Sequence, residues 1–226
     1  MKFLVNHDKK LLIGWSRKCA CGTVKKWFCD FSGIYVPEEV SIHDYIRNNK
    51  QLLGIEPSFN YREYTKVLVI RNPYARLVSG YVDKVVFSGT LNVAETFGEF
   101  VDKLVKGKIK NSHFFLQTGE DFIHLKWNYV IKQESLKFGF DRLNNHFGIE
   151  IPLNRLGAMK KKDPKYSGEK PAYLLDIEEV KEYNPEWWFY YNNQIQSRIF
   201  SYYKRDFEYF RKLGKKYPNQ VKGVIR

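Results

Sequence analysis

The sequence predicts an α/β fold: a single domain over residues 1–226, with a mainly parallel sheet flanked by helices. Three observations carry that expectation. A strand–loop–helix pattern occurs twice, from Leu11 to Phe28 and from Lys66 to Val86, and a third short strand, Tyr129-Val130-Ile131, leads into another helical segment. Strands that alternate with helices pair in parallel, because each helix must bury its apolar stripe on a face of the sheet.

Leu11-Leu12-Ile13-Gly14-Trp15 is a short apolar run, read as a strand. The small residues from Ser16 to Gly22 form a loop ahead of Thr23 to Phe28, whose spacing is helical. Lys66-Val67-Leu68-Val69-Ile70 is β-branched and almost continuously apolar, as a strand covered on both faces should be. After Arg71-Asn72, Pro73 in the first turn opens a helix over Tyr74 to Val86, with apolar residues at 74, 77, 78, 81, 82 and 85. Asn92 to Val105 reads as a helix with Phe97, Phe100, Val101 and Leu104 on one side. Further helices are expected over Leu136 to Phe147 and Asn192 to Leu213, the latter with Gly214 as its C-cap. Residues 154–170 are lysine-rich, contain Gly, Pro and Ser and lack periodicity, so a long exposed loop is expected there, serving as a lid over a ligand, as an attractor for an anionic acceptor or simply as a solvated loop.

Composition narrows the class of protein. Aromatic residues make up 17% and the hydrophobic set 43%, which excludes a disordered chain. Lys and Arg number 38 against 25 Asp and Glu, a formal charge of +13 that favours an anionic partner: nucleic acid, a phosphorylated cofactor, an acidic glycan or a membrane surface. Cys19, Cys21 and Cys29 lie within eleven residues and cannot all pair with one another, which argues against a disulfide framework and for a reducing compartment. They lack a fourth cysteine, and the nearest histidine on their C-terminal side is His43, so no metal site is expected. There is no signal-peptide apolar region and no run of eighteen apolar residues, so the expectation is a cytoplasmic protein.

Two loops carry chemistry. Arg17-Lys18-Cys19-Ala20-Cys21-Gly22-Thr23 lies between a strand and a helix, where backbone N–H groups and the positive helix end converge on one point and select an anion. Lys18 adds a full charge and Thr23 a hydroxyl. The loop is not Gly-x-x-x-x-Gly-Lys-Ser/Thr, which removes the main support for an ATPase or kinase. In the second loop, Arg71 directly follows a buried strand and Ser79 sits on the succeeding helix, two groups suited to a terminal phosphate. Two anion-receiving loops at the carboxyl ends of parallel strands suit a nucleotide with phosphate at both ends.

The chain resembles the membrane-type carbohydrate sulfotransferases related to the chondroitin, dermatan and heparan-sulfate 2-O enzymes, and their bacterial relatives. Four places carry the resemblance. Residues 17–23 are similar to the family's Pro-Lys-x-x-x-Thr-Ser loop, and Val69 to Lys84 follows its Val-Arg-Asp-Pro-x-x-Arg-Leu-x-Ser-x-Tyr-x-x-Lys motif. The others are His113-Phe114-Phe115-Leu116-Gln117 with Val130 to Leu136, and Tyr203-Lys204-Arg205-Asp206-Phe207. Arg17, Gly22 and Asn72 depart from the pattern, standing where the family has Pro, Thr and Asp.

The resemblance implies a P-loop-nucleotide-hydrolase-like sulfotransferase fold and an enzyme that moves a sulfuryl group from 3′-phosphoadenosine 5′-phosphosulfate (PAPS) to a hydroxyl, on a carbohydrate or glycoconjugate acceptor. Residues 17–23 would hold the 5′-phosphosulfate, with Lys18 stabilising charge on the leaving oxygen, while Arg71 and Ser79 would hold the 3′-phosphate. In-line displacement rests on positioning and charge, with no metal required. The general base is expected to be His43 or His113. Glu134 and Asp206 are read as structural. The alternative is a basic nucleic-acid-binding module, suggested by the charge and the many aromatics; it does not account for Arg71 and Ser79 standing in one motif.

Overall fold

The computed structural model describes residues 1–53, 60–118, 125–153, 166–218 and 221. The chain divides into two compact units, each assembled from two stretches: Met1–Arg71 with Gly119–Met159, and Asn72–Thr118 with Lys160–Arg226.

The first unit holds the sheet. Its strands are β1 (Lys2–Asn6), β2 (Leu11–Trp15), β3 (Thr65–Ile70) and β4 (Tyr129–Lys132), in the spatial order β1-β2-β3-β4. β2 pairs parallel with β3, placing Trp15 opposite Val69, and β3 pairs parallel with β4, placing Ile70 opposite Lys132. β1 runs antiparallel to β2, with Leu4 opposite Ile13. The fold is therefore α/β with a mostly parallel four-stranded sheet, as expected, plus an antiparallel strand at one edge that sequence reading missed. β1 is short and flanked by charge, but Phe3, Leu4 and Val5 are all buried.

Helices α1 (Cys21–Phe31), α2 (Ile42–Asn48) and α5 (Leu136–Phe147) complete this unit. Trp27, Phe28 and Phe31 of α1 pack with Phe140 and Leu143 of α5 over Val67, Val69 and Ile131. The indole Nε1 of Trp27 donates to Asn144 Oδ1 at 2.9 Å, and Asn144 Nδ2 in turn donates to the Ile151 carbonyl at 2.8 Å, so the polar atoms inside the layer are paired. Gly139 lets α5 approach β4: a Cβ there would lie 2.3 Å from Ile131 Cγ2. Lys66 is buried at the start of β3, and its ammonium donates to the carbonyls of Tyr61 and Tyr64, each at 2.9 Å.

The second unit is helical: α3 (Pro73–Tyr81), α4 (Phe97–Val105), α6 (Ile177–Tyr183), α7 (Asn193–Tyr202) and α8 (Lys204–Lys212). Asn72 caps α3 through a bond from the Tyr74 amide at 2.9 Å, the work that the family's Asp would do at that position. Beyond Tyr81 the helix widens into a π-helical segment, Val82–Phe87, closed by a bond from Ser88 N to Asp83 O. The helix expected from Asn92 begins at Phe97, because the Thr96 hydroxyl accepts from the Glu99 amide and Glu99 Oε2 accepts from the Glu95 amide. The single helix expected over Asn192 to Leu213 is two helices broken at Tyr203, whose hydroxyl donates to the Phe114 carbonyl at 2.8 Å. Of the lysine-rich stretch, residues 154–165 lie outside the described residues. Among the described residues no helix is long and apolar enough to cross a membrane.

Candidate functional site

The loop after β2 is shaped by two non-glycine residues in left-handed conformation, Lys18 at φ 68° and Ala20 at φ 56°. Each costs about 1–2 kcal/mol against an ordinary backbone, a cost the surrounding structure has to sustain. The turn closes with Cys19 N donating to Ser16 O at 3.2 Å, and Val24 N donating to Ala20 O at 3.0 Å starts the helix. Ala20 is the N-cap of α1 and has no oxygen to cap with, and no acidic residue stands in the first turn. A helix start with neither capping side chain nor carboxylate suits an external anion, which supplies the missing negative charge. α1 begins at Cys21, so Cys21, Gly22 and Thr23 form its first turn instead of ending the loop.

Parallel pairing sets the carboxyl ends of β2 and β3 side by side, and Arg71 stands at the end of β3. Its Nη1 donates to the Lys18 carbonyl at 2.9 Å. The guanidinium therefore braces the first loop while adding charge beside it. Lys18, Arg17 and Arg71 are all half-buried, which strengthens their fields relative to fully solvated cations.

Lys25 and His43 meet in the same unit, their Nζ and Nδ1 atoms 2.9 Å apart. Lys25 is buried on α1, whereas His43, on the first turn of α2, presents part of its ring to solvent. Burial lowers the Lys25 pKa, and Lys2, Arg47 and Arg17 lower it further, against the opposing effect of Cys21. Desolvation of the inner edge of His43 and then the charge of Lys25 hold the imidazole below the ordinary histidine value.

The second unit gathers the His113–Gln117 and Tyr203–Phe207 motifs around Arg76 and Asp206, while Val130 to Leu136 lies in the first unit, on β4 and the start of α5. Arg76, fully buried, donates from Nη1 to the His113 carbonyl at 3.0 Å and from Nη2 to the Phe115 carbonyl, and its guanidinium lies over the Tyr203 ring, 5.2 Å from the centroid. Asp206 accepts from Gln117 N at 2.9 Å, from Thr118 N at 3.0 Å and from Thr118 Oγ1 at 2.8 Å. Burial pushes its carboxyl up, with Arg76 and these donors pulling against that shift. The His-x-x-x-Gln segment is thus wrapped between two buried charges, and Asp206 anchors the last helix. The His113 ring turns back on its own loop, with Nδ1 donating to Asn111 Oδ1 at 2.8 Å. Ser79 is half-buried on α3.

Of the expected site residues, the structure joins Lys18 to Arg71 directly and sets Arg17 within the field of Lys25 and His43, all in the first unit. Ser79 and His113 belong to the second unit. Sequence reading passed over Lys25. Its signal lay in the helix spacing: Lys26 has Asp30 four residues on and pairs with it, whereas Lys25 has only Cys21 and Cys29 at four residues either way. None of the three cysteines is in a disulfide, and burial pushes the Cys29 thiol up to about 11. Among the described residues no group of three or more His, Cys, Asp or Glu is placed to hold a metal ion.

No curated protein and no solved structure matches the chain significantly. The model of the sulfotransferase family matches residues 1–212. That match takes in the loop after β2, the Arg71 strand end, the His113–Gln117 turn and the Asp206 anchor alike, and the chain belongs to the sulfotransferase family, whose members transfer a sulfuryl group from PAPS to a hydroxyl-bearing acceptor.

Proposed function

We propose that this chain transfers the sulfuryl group of PAPS to a hydroxyl of a carbohydrate or glycoconjugate, by in-line displacement. The observation that carries the reading is the bond from Arg71 to the Lys18 carbonyl, which ties the loop after β2 to the end of β3. The residues present fit the donor. The first turn of α1 and the bent loop offer backbone N–H groups to a 5′-phosphosulfate, Lys18 supplies charge for the oxygen between sulfur and phosphorus, and Arg71 receives the 3′-phosphate. Gly22 offers no hydroxyl where the family has one, leaving Thr23 as the hydroxyl donor of that turn.

His43 is the better-supported base. It lies in the same unit as the loop, on a ring open to solvent, and its lowered pKa keeps it neutral near pH 7, as a proton acceptor must be. His113 remains the second candidate, with Nδ1 committed to Asn111 and Nε2 therefore the basic nitrogen. Three cysteines within eleven residues, too few and too close to form a disulfide framework, suit a reducing, cytoplasmic setting.

Calorimetric titration with 3′-phosphoadenosine 5′-phosphate, against 5′-AMP and ATP, tests the reading. Selective binding of the 3′-phosphorylated nucleotide is expected. Equal affinity for all three would exclude a PAPS site and return the basic surface to nucleic-acid binding, which would then show a steep salt dependence on oligonucleotides.

A further inference from the structure

The contact between Lys25 and His43 sets a chemical condition that the base role of His43 has to meet. Lys25 is 8% exposed and its Nζ lies 2.9 Å from Nδ1. A charged ammonium has only donors, so while Lys25 carries its proton, Nδ1 must accept. A neutral imidazole that accepts at Nδ1 carries its hydrogen on Nε2, and that nitrogen then cannot take a proton from anything. The arrangement is the wrong tautomer for a base, unless the hydrogen bond reverses.

We propose that Lys25 is the positioning residue of His43: its uncharged amine accepts from Nδ1–H and leaves Nε2 bare to receive the acceptor hydroxyl's proton. The inference rests on the assignment of His43 as base made above. The pair passes from its resting to its working form by releasing one proton to solvent from Nε2, as Lys25 hands its own proton across to Nδ1. During transfer the acceptor oxygen forms a bond to sulfur, the bond from sulfur to the bridging oxygen breaks, and 3′-phosphoadenosine 5′-phosphate departs with that electron pair. The hydroxyl proton goes to Nε2, so the pair regains the single positive charge it had at rest. Proton loss to solvent then resets it.

The surroundings favour the uncharged pair. Around His43 stand Lys25 of α1, Asp44 and Arg47 of α2, and Arg17 of the loop. Around Lys25 stand Cys21 on its own helix, Lys2 of β1, Arg47 and Arg17. Lys2, Arg17 and Arg47 all oppose a further positive charge, with Asp44 and, when ionised, Cys21 on the other side. Both partners are displaced toward neutrality, burial being the leading cause for each. Because a lysine pKa that falls brings the amine into being at lower pH, turnover should rise with pH through the lowered lysine value, and the two groups titrate as a pair.

Protein labelled with 15N in histidine reports the tautomer directly. In the wild type, the His43 hydrogen is expected on Nε2 at low pH within the neutral form and on Nδ1 above the pair's transition. Lys25→Arg keeps the charge at every pH and should hold the hydrogen on Nε2 throughout; Lys25→Met should abolish the transition and let His43 titrate as an ordinary imidazole. Above the pair's transition, release of 3′-phosphoadenosine 5′-phosphate from PAPS, with water as acceptor, should be at least about 100-fold slower in Lys25→Arg than in wild type, the loss expected when a general base is disabled, and the rising limb should be absent. In Lys25→Met the rising limb should move to lower pH. Calorimetry with 3′-phosphoadenosine 5′-phosphate and thermal unfolding establish that each variant is folded. A wild-type tautomer that does not change up to pH 10, or a Lys25→Arg variant as active as wild type, overturns the proposal. Should the wild type show the tautomer change yet release no product, the proton arrangement stands and the sulfuryl-transfer reading of His43 fails instead.

Discussion

Arg71 reaches from the end of β3 to the carbonyl of Lys18, 2.9 Å away, so the residue proposed to hold one phosphate also fixes the loop proposed to hold the other. Replacing Arg71 by Ala removes a charged donor and releases the loop together. Affinity for 3′-phosphoadenosine 5′-phosphate should fall by roughly 10- to 100-fold, corresponding to the ~1.5–3 kcal/mol of a hydrogen bond to a charged group. Arg71→Lys should recover little of this, since an ammonium cannot donate to the Lys18 carbonyl and a phosphate through one planar fork. Titration calorimetry on both variants reads the difference.

The two histidines separate by turnover. Loss of His43 should lower kcat by about 100-fold or more with nucleotide affinity unchanged, as for removal of a general base. His113→Ala removes a ring that bonds within its own turn, while the His113 carbonyl that Arg76 holds is retained, so its effect should be confined to a modest loss of stability. Should His113→Ala instead abolish turnover in a folded protein, the base assignment moves to His113.

Ala20 gives a backbone test of the loop. Its left-handed φ of 56° is natural for glycine, and Ala20→Gly should be neutral or raise stability by up to about 1 kcal/mol. Ala20→Val places a β-branched side chain at the same angle and should cost roughly 2 kcal/mol or more. Denaturant midpoints on both variants decide the matter, and equal midpoints would mean that the loop does not hold this conformation.

Asp206 gives the corresponding test in the helical unit. Asn at this position would direct an amide at a backbone donor and leave Arg76 without its buried counter-charge. A loss of roughly 1–3 kcal/mol is expected, the cost of leaving buried donors to the carboxylate unsatisfied, measured by urea unfolding. A loss below 1 kcal/mol would show that the carboxylate is not the anchor.

Legibility in the sequence followed the range of the interactions concerned. β2, the core of β3, β4 and α5 are specified by runs of their own apolar residues, and their positions could be read locally. β1 could not, because Phe3, Leu4 and Val5 count as a strand only through pairing with Leu11 to Trp15. The break at Tyr203 was equally hidden: no Gly or Pro marks it in the sequence, and the Tyr203 hydroxyl bonds to a carbonyl 89 residues away. At the site, Lys18 and Arg71 were legible as charges at strand ends, but the bond between them joins residues 53 apart. Lys25 was overlooked because a lysine in a helix ordinarily faces water, and only the third dimension sets it against His43.

The division of each unit into two separated stretches has a consequence for synthesis on the ribosome. β3 is complete at Ile70, yet the strand that covers its open edge ends at Lys132. At about 5–20 residues per second, that edge waits roughly three to twelve seconds for its partner. Throughout the interval Val67, Val69 and Ile70 sit beside an unsealed row of backbone donors and acceptors, the kind of template on which nascent chains misassemble. Chaperone occupancy of the growing chain should therefore peak after β3 emerges and fall once β4 has cleared the exit tunnel.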